Sequence, residues 1–322
     1  MKRALVKDSV KQIKNTLKRF ISILMMAFLG VGFFAGIKAT SPDMIDTIDR
    51  YYKEQNIYDL EIVSTLGLTN DDLNEIAKID GIDQVEGTYE KDAIIENDNE
   101  EIVVKLLCAN NINVPVLLEG NLPINEDECV VEDSFLKTKN KKIGDYIDLK
   151  VEDSTNDDGD KVNYLKQNKL KIVGTVKSPL YISRNRGTSN LGSGSVDYFM
   201  YISDKNINAN DIYTRIYAKV KNANEYTTST DEYENYIDNI TDNVEKIKDQ
   251  REQARYNQLI TSATNKLNDA EQTFNEEKQN GQTKIDDAEK ELNDGKKKIE
   301  SAEAKISKNE KEAESKFSSA EK

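Results

Sequence analysis

Histidine and tryptophan are absent from this chain of 322 residues, and cysteine occurs only twice. Without histidine, the chain cannot build a Ser-His-Asp or Cys-His catalytic site or a histidine-ligated metal centre. It also lacks the glycine-rich Walker loop that binds ATP. Carboxylates are abundant but scattered over polar stretches, which is typical of a solvated surface. We therefore expect a protein that is not an enzyme and needs no cofactor or metal, with an outward-facing hydrolase as the weakest alternative.

The two cysteines, Cys108 and Cys129, lie on predicted strands. A disulfide between them is permitted if this part of the chain lies outside the cell. Two cysteines do not by themselves establish a bond, and a pair of unpaired buried thiols fits the sequence equally well. Both alternatives stay open at this stage.

Long apolar runs are scarce as well. One segment, Phe20–Ile37, has eighteen residues with Ser22 as its single polar side chain, and nothing after residue 40 approaches its length. As a helix it reaches about 27 Å, close to the hydrocarbon thickness of a bilayer, so we predict a transmembrane helix over residues 20–40. A cleaved signal peptide is the alternative, but its apolar core is usually only about 7–15 residues long.

The charges around this run predict its direction. Residues 1–19 contain seven Lys or Arg and one Asp, whereas the whole chain has a net charge of −14. The positive-inside rule therefore places the N-terminus in the cytoplasm and the bulk of the chain outside the cell membrane. The strongly acidic exterior argues against nucleic acid or anionic lipid as its partner.

Two stripes run along residues 1–19. The apolar stripe consists of Val6, Val10, Ile13 and Leu17, and the basic stripe consists of Lys7, Lys11, Lys14 and Lys18. Both repeat at helical spacing, which favours an amphipathic helix on the inner leaflet with its lysines at the membrane surface. A disordered basic flank that serves only as a topology signal is the alternative.

Beyond the span, Ser41 and Pro42 are placed as the N-cap and first residue of a new helix, so we predict a stalk helix over residues 41–56. A second helix start follows at Thr69, which is spaced from Asp72 as a capping box. The same helix has a hydrophobic staple between Leu68 and Leu73 and a stop signal at Gly81. Its predicted buried face consists of Leu73, Ile76 and Ala77.

A strand-rich segment occupies most of residues 57–222. Apolar alternation predicts strands over residues 57–66, 85–95, 102–109, 114–118, 128–131, 146–151, 170–176, 196–202 and 212–220. One further helix is predicted between them, over residues 133–139. We therefore predict an α+β extracellular domain over residues 57–222, anchored by one N-terminal transmembrane helix and followed by a long C-terminal coiled-coil helix.

Two loops of this domain resemble parts of known ligand-binding loops. Asp153–Asp160 resembles part of a calcium loop, but a leucine, Leu165, stands where the bidentate glutamate is needed, so a solvated acidic hairpin tip is favoured. Gly187–Ser195 resembles a phosphate cradle, but a strand follows where a helix N-terminus is needed. We favour a flexible connection there and keep a ligand or partner role as the alternative.

Residues 223–322 form a predicted coiled-coil arm. Apolar residues recur at spacings of three and four, and the unit Lys-apolar-x-x-Ala-Glu recurs at residues 266, 284, 298 and 316. Mixed seven- and eleven-residue repeats predict a gently supercoiled rod of up to about 135 Å. Because its seam buries little area alone, it needs a partner helix. A returning helix of a longer chain is favoured, and a second copy is the alternative.

One stretch resembles a known family. Residues 119–149 are similar to the extracytoplasmic core domain of MacB-like and FtsX-like ABC transporter permeases, and residues 170–178 (LKIVGTVKS) are similar to that family's valine-glycine strand. The residues that carry the resemblance are Gly120, Pro123, Glu128, Gly144 and Asp145. Glycines suited to turns and a proline that fixes a loop have structural roles, so the resemblance supplies no catalytic site.

The resemblance implies a function and a set of partners. It implies that the chain is part of a permease subunit, and that a separate cytoplasmic ATPase drives movements that reach the outer domain through the membrane helices. Those movements act on a lipid, a peptide or a cell-wall enzyme outside. The implied partners are an ABC ATPase subunit, the lipid bilayer and a second copy or second half of the permease. The alternative function is a single-pass membrane-anchored coiled-coil interaction or spacer protein.

Overall fold

The computed structural model describes residues 2–97, 100–156, 159, 161–208 and 212–320. The chain divides into two compact units, Met1–Asn156 with Asp160–Arg255 and Asp157–Gly159 with Tyr256–Lys322. The helices are α1 (Lys2–Asn15), α2 (Leu17–Glu54), α3 (Asn70–Ala77), α4 (Asp133–Lys139) and α5 (Asp231–Ala320). The strands are β1 (Leu60–Leu68), β2 (Ile82–Thr88), β3 (Glu90–Asn97), β4 (Glu100–Cys108), β5 (Val116–Gly120), β6 (Glu128–Glu132), β7 (Tyr146–Lys150), β8 (Ser154–Thr155), β9 (Lys161–Val162), β10 (Lys169–Lys177), β11 (Tyr198–Ile202) and β12 (Tyr213–Val220). The predicted α+β class, with an apolar N-terminal helix and a long C-terminal helix, is confirmed.

Helix α2 contains the whole predicted span and continues without interruption to Glu54. Within the part of the chain that the structure describes, it is the one helix long and apolar enough to cross a membrane. The predicted helix start at Ser41 is wrong, because Pro42 lies inside α2. Proline removes a single helical N–H donor, and here the residues on both sides keep the helical conformation. The predicted stalk is therefore a direct extension of the apolar helix.

The larger sheet closes on itself. Its seven strands have the order β5-β10-β6-β11-β4-β3-β7, and β7 also pairs with β10. Six of these strands therefore form a ring, and β5 extends β10 at its side. Buried side chains such as Val104, Ile172 and Met200 belong to the core of this barrel. The strands were predicted from sequence, whereas the closure depends on pairings between residues far apart in the chain.

The smaller sheet has three antiparallel strands in the order β1-β12-β2. Helix α3 and the first turns of α5 pack against it. Ile237 and Ile240 of α5 contact the cluster around Leu60 and Ala218, and Ile247 joins the cluster around Ile76 of α3. The beginning of the long helix is therefore part of the core of the first unit.

Three local predictions can be compared with the structure. The capping box is confirmed, since Asp72 Oδ2 accepts hydrogen bonds of 2.8 Å from both the backbone N–H and the hydroxyl of Thr69. Ala77 is exposed, so its predicted place on the buried face is wrong, and Asp72 is buried instead. The predicted strand over residues 85–95 is two strands, β2 and β3, which separate at Tyr89 and belong to different sheets.

The two cysteines are free and buried. Cys108 on β4 and Cys129 on β6 both pair with Ile202 on the strand between them. Two strand spacings separate them by about 10 Å, beyond the roughly 7 Å limit of a disulfide. Burial raises the pKa of the Cys108 thiol to about 12, and burial also raises that of Cys129. Both thiols are therefore protonated and act as core side chains.

Candidate functional site at the end of the apolar helix

The last turns of α2 carry a buried carboxylate, Asp49. One of its oxygens accepts hydrogen bonds from the backbone N–H of Thr228 at 2.8 Å and from the Thr228 hydroxyl at 3.0 Å. The other oxygen lies 2.8 Å from the ammonium nitrogen of Lys53, one turn further along. Burial alone would raise the pKa of Asp49, but the bonds from Lys53 and Thr228 outweigh it and hold that pKa below its ordinary value. Because Thr228 lies just before α5, this carboxylate joins the end of α2 to the start of α5.

The chain turns sharply after α2 at Asn56, which has a left-handed backbone with φ 49°. Its side-chain amide donates hydrogen bonds to the carbonyl of Asn111 at 2.8 Å and to the amide oxygen of Gln84 at 3.1 Å. Its own carbonyl accepts a bond from the N–H of Asn113 at 3.0 Å, and the Asn113 side chain accepts one from the N–H of Tyr58 at 2.9 Å. The exit of α2 is therefore fixed to the loop that joins β4 to β5.

A second carboxylate, Asp59, pairs with Lys219 of β12 at 2.8 Å, and both side chains are almost fully buried at 3% and 7% exposure. The Lys219 ammonium also donates to the carbonyl of Ile57 at 2.8 Å. Asp59 accepts further bonds of 2.8 Å from the backbone N–H of Val220 and from the hydroxyl of Tyr233 on α5. Burial and the neighbouring Asp59 raise the pKa of Tyr233, so its hydroxyl stays a proton donor.

We call the set formed by Asp49, Lys53, Asn56, Asp59, Lys219, Thr228 and Tyr233 the helix junction. Through it, three elements share two buried carboxylates: the end of α2, the middle strand of the small sheet and the start of α5. Breaking a buried ion pair by removing one partner costs about 3–5 kcal/mol, whereas an exposed pair is worth less than about 1 kcal/mol. The geometry therefore resists separation of these three elements.

Helix α3 adds another link within the first unit. Asp72 accepts a hydrogen bond of 2.7 Å from Arg251 of α5. Beside this pair lies a largely apolar cavity of about 320 Å³ between β1, α3 and the first turns of α5, lined in part by Ile62, Leu68 and Val244. Its lining also includes hydroxyl and charged side chains, among them Ser64, Thr241 and Lys248.

A polar cleft of about 520 Å³ lies between the two sheets. Arg215 donates to Glu90 at 2.8 Å, Tyr217 donates to the same carboxylate at 2.6 Å, and Lys105 pairs with Asp92 at 2.6 Å. Burial raises the pKa of Glu90 despite these partners. Arg215 and Lys105 of this cleft therefore face acidic side chains, whereas Lys91 lies over the ring of Tyr164.

The loop predicted as a cradle or connection, Gly187–Ser195, borders this cleft through Asn190 and Leu191. A bridge between Thr188 and Ser195 closes the loop, and the strand β11 follows it. The predicted acidic tip at residues 153–160 is described only in part, because residues 157, 158 and 160 lie outside the described residues. Among described residues, no group of three or more His, Cys, Asp or Glu could hold a metal ion.

The family-motif residues converge on β10. Gly120 has φ 82° and lies opposite Gly174, and a Cβ atom at Gly120 would lie 2.1 Å from the Val173 carbonyl oxygen. The N–H of Gly144 donates to the carbonyl of Ile172 at 2.8 Å, and the N–H of Ile172 donates to the carbonyl of Asp145 at 2.9 Å.

Two further motif residues lie beside this strand. Glu128 pairs in register with Lys171 of β10. Backbone N–H bonds from Ile124 and Asn125 hold the pKa of Glu128 below its ordinary value. Pro123 is buried in the loop before β6. The contacts of the motif with β10 therefore lie at residues 171–174 in the middle of that strand, and none of the motif residues belongs to the helix junction.

The basic stripe lies on two helices, with Lys7, Lys11 and Lys14 on α1 and Lys18 at the start of α2. The helices are separated at Thr16, where the backbone leaves the helical conformation. All four lysines are exposed. Their contact with a membrane surface stays a prediction.

Sequence reasoning missed the helix junction. Asp49 and Asp59 stand among many surface acids, and their partners Thr228 and Lys219 are more than 150 residues away in the chain. The one available signal was an acid beside a turn residue, as in Asn56 followed by Asp59, which is too common to select a site.

No protein-family model and no curated protein matches the chain. Among solved structures, the chain is similar to the extracellular domain of the noncanonic ABC-type transporter YknZ from Gram-positive bacteria, with 11% identity, a TM-score of 0.32, and coverage of 55% of this chain and 85% of that chain. It is also similar to the periplasmic region of MacB from Actinobacillus actinomycetemcomitans, with 14% identity, a TM-score of 0.31, and coverage of 57% of this chain and 83% of that chain.

Proposed function

We propose that this chain is a membrane subunit of an ABC-type permease of the MacB-like or FtsX-like kind, and that its extracellular domain transmits movements of the membrane helix. A separate cytoplasmic ATPase supplies the energy, as the family resemblance of residues 119–149 implies. The recipient is a lipid, a peptide or a cell-wall enzyme outside the membrane. The N-terminus lies in the cytoplasm, where the lysines of the basic stripe meet the inner leaflet.

One observation carries the proposal: α2 runs unbroken from the apolar segment into the helix junction. A helix is stiff over this length, so a shift or rotation of its membrane part moves its last turn as well. At that turn Asp49 binds the segment that leads into α5, and just after α2 ends Asp59 binds Lys219 of the middle strand and Tyr233 of α5. Because separating buried charges is costly, those elements follow the helix.

Cross-linking at the cytoplasmic segment tests the ATPase partner. A photoreactive amino acid is placed at Ser9 in the full chain in its native membrane, and the captured proteins are identified by mass spectrometry. Capture of an ABC ATPase supports the proposal. The matched control places the same group at Ser301 on the far side of the membrane. Absence of any ATPase at Ser9, with other proteins captured there, would reject the permease function.

Labelling tests the orientation separately. Ser9→Cys and Ser301→Cys variants are treated in intact cells with a membrane-impermeant maleimide. We expect labelling at residue 301 only, while the buried Cys108 and Cys129 remain unlabelled in the parent chain. Labelling of Ser9→Cys in intact cells would contradict the cytoplasmic N-terminus.

The second candidate function is a single-pass anchored coiled-coil interaction or spacer protein. It is favoured by the exposed apolar side chains along α5, of which Leu267, Phe274 and Leu292 are each more than 60% exposed. This function requires no ATPase. The capture experiment at Ser9 therefore separates the two.

A further inference from the structure

The second unit presents an apolar stripe that no other described part of this chain covers. Its large members are Ile260, Leu267, Phe274, Ile285, Leu292, Ile299, Ile306 and Phe317, which are 49–76% exposed. Small residues follow three positions after six of them: Ala263, Ala270, Ala288, Gly295, Ala302 and Ala320. A step of three followed by a step of four assigns the large residues to position a of a heptad and the small ones to position d.

This assignment defines the positions that flank the stripe. Position g precedes each large residue, and position e follows each small one. In a parallel pair of helices, a g residue faces the e residue five positions later on the partner. The charged g and e combinations among the described residues are Lys266 with Glu271, Lys284 with Glu289, Glu291 with Lys296, Lys298 with Glu303, and Lys305 with Glu310.

Every one of these combinations joins opposite charges. In the other pairs Lys is at position g and Glu at position e, whereas Glu291 is at g and Lys296 at e. Because both charges are exchanged, this pair also joins opposite charges. In an antiparallel pair of identical helices, g faces g and e faces e, which would bring lysines such as Lys284 and Lys298 together. The flanking charges therefore suit a parallel, in-register copy of the same helix and oppose an antiparallel one.

The large residues bear on the number of strands, whereas the flanking charges bear on their direction. Half of the a positions are isoleucine, namely Ile260, Ile285, Ile299 and Ile306. Within parallel coiled coils, β-branched residues at position a combined with leucine at position d favour two strands, and here the small d residues take the place of leucine. In the recurring unit Lys-apolar-x-x-Ala-Glu, the Lys is then a g residue and the apolar, Ala and Glu residues are the a, d and e residues of the heptad that follows. This assignment gives the internal repeat a physical reason.

We infer that residues 260–317 form a parallel, in-register two-stranded coiled coil with a second copy of this chain. The pairing does not rest on the proposed permease function, since an anchored spacer could use it equally. Its failure and the failure of ATPase capture are therefore distinguishable.

Disulfide trapping tests the register. Ala302→Cys places a thiol at position d, where parallel in-register partners meet, and Lys297→Cys places one on the opposite side of the helix. The full chain in native membranes is oxidised and examined without reductant. We expect a covalent dimer from Ala302→Cys, and none from Lys297→Cys or from the parent chain with its buried cysteines.

A mixed sample tests the direction. Differently tagged Ala270→Cys and Ala302→Cys chains are co-expressed and oxidised. In a parallel pair the two sites are about 48 Å apart along the helix and cannot join. A bond between the two tags, or no dimer from Ala302→Cys alone, would overturn the inference. The second result would indicate a different partner helix, such as a returning segment of the same polypeptide.

Charge reversal supplies a second test that does not use cysteine. Lys298→Glu brings like charges together at two symmetric places in the dimer, and we expect dimerisation of the full chain in detergent to weaken roughly tenfold. The double variant Lys298→Glu with Glu303→Lys exchanges both members and should restore it. Light scattering measures both, and a double variant as weak as the single one would contradict the pairing.

Discussion

The ion pair between Asp59 and Lys219 is the most buried charge pair of the helix junction. We predict that Asp59→Asn lowers the free energy of unfolding by about 3–5 kcal/mol, because Lys219 is left charged and buried without its carboxylate. The measurement is denaturant unfolding of the full chain in detergent. Tyrosine fluorescence can follow it, since the chain has 15 tyrosines and no tryptophan.

Two further variants make this prediction specific to the pair. In Asp59→Asn with Lys219→Met, neither charge remains, so at least half of the lost stability should return. Lys137→Met removes an exposed pair with Asp133, and we expect a change within about 0.5 kcal/mol. Equal losses in the single and double variants would show that the charge of Lys219 is not the cause.

Acid should weaken the first unit through two other carboxylates. Burial alone would raise the pKa values of Asp49 and Asp72, but hydrogen bonds and cations outweigh it and lower both. Their stabilising contribution is complete above the ordinary aspartate pKa of about 3.9 and is lost as the pH falls through their lower native values. Burial raises the pKa of Glu90, so the contribution of Glu90 to the unfolding free energy increases, rather than decreases, as the pH falls.

We therefore expect the unfolding free energy to fall as the pH drops below about 4, with a shallower fall in Asp49→Asn. Urea titrations at several pH values measure it. An unchanged slope in Asp49→Asn would mean that this carboxylate has the same pKa in the folded and unfolded chain.

At the scale of elements, two motif glycines should differ in their tolerance of a side chain. Gly120→Ala forces an alanine into φ 82° and brings its Cβ to 2.1 Å from the Val173 carbonyl oxygen. Gly144→Ala meets φ 100° but no atom within 4 Å. We predict a loss of about 1–2 kcal/mol for Gly144→Ala from backbone strain alone, and a clearly larger loss for Gly120→Ala. Thermal unfolding compares them, and equal losses would contradict the close approach of β5 to β10.

The elements themselves were largely predictable from sequence. The helix over residues 133–139 was predicted at its observed bounds. The capping box at Thr69 was equally predictable, since it depends on residues that are only three positions apart in the sequence. Barrel closure was not, because β7 pairs with β3 and β10 through contacts that leave no local pattern. Pro42 misled the prediction because a proline at a helix start and one inside a helix have the same neighbours.

At the scale of the whole molecule, the sequence predicted which segments exist and which of them is apolar enough for a membrane. It did not predict that α2 and the start of α5 meet. That contact depends on Asp49 and Thr228, which are 179 positions apart. Charged side chains at a surface and at a buried junction look alike in a sequence, whereas periodic apolar residues do not.

The continuity of α2 leads to a prediction about the whole molecule that rests on the proposed function. Four glycines inserted after Ile45 should interrupt the helix between the apolar segment and the helix junction, whereas four alanines should keep it helical. Neither insertion touches a residue of the junction, so denaturant unfolding followed by tyrosine fluorescence should be unchanged in both. In nanodiscs with the captured ATPase, we expect ATP to alter hydrogen exchange at residues 228–240 of the parent chain and of the alanine variant, and not of the glycine variant. A nucleotide response that survives the glycine insertion would mean that movement reaches the outer domain by a route other than α2.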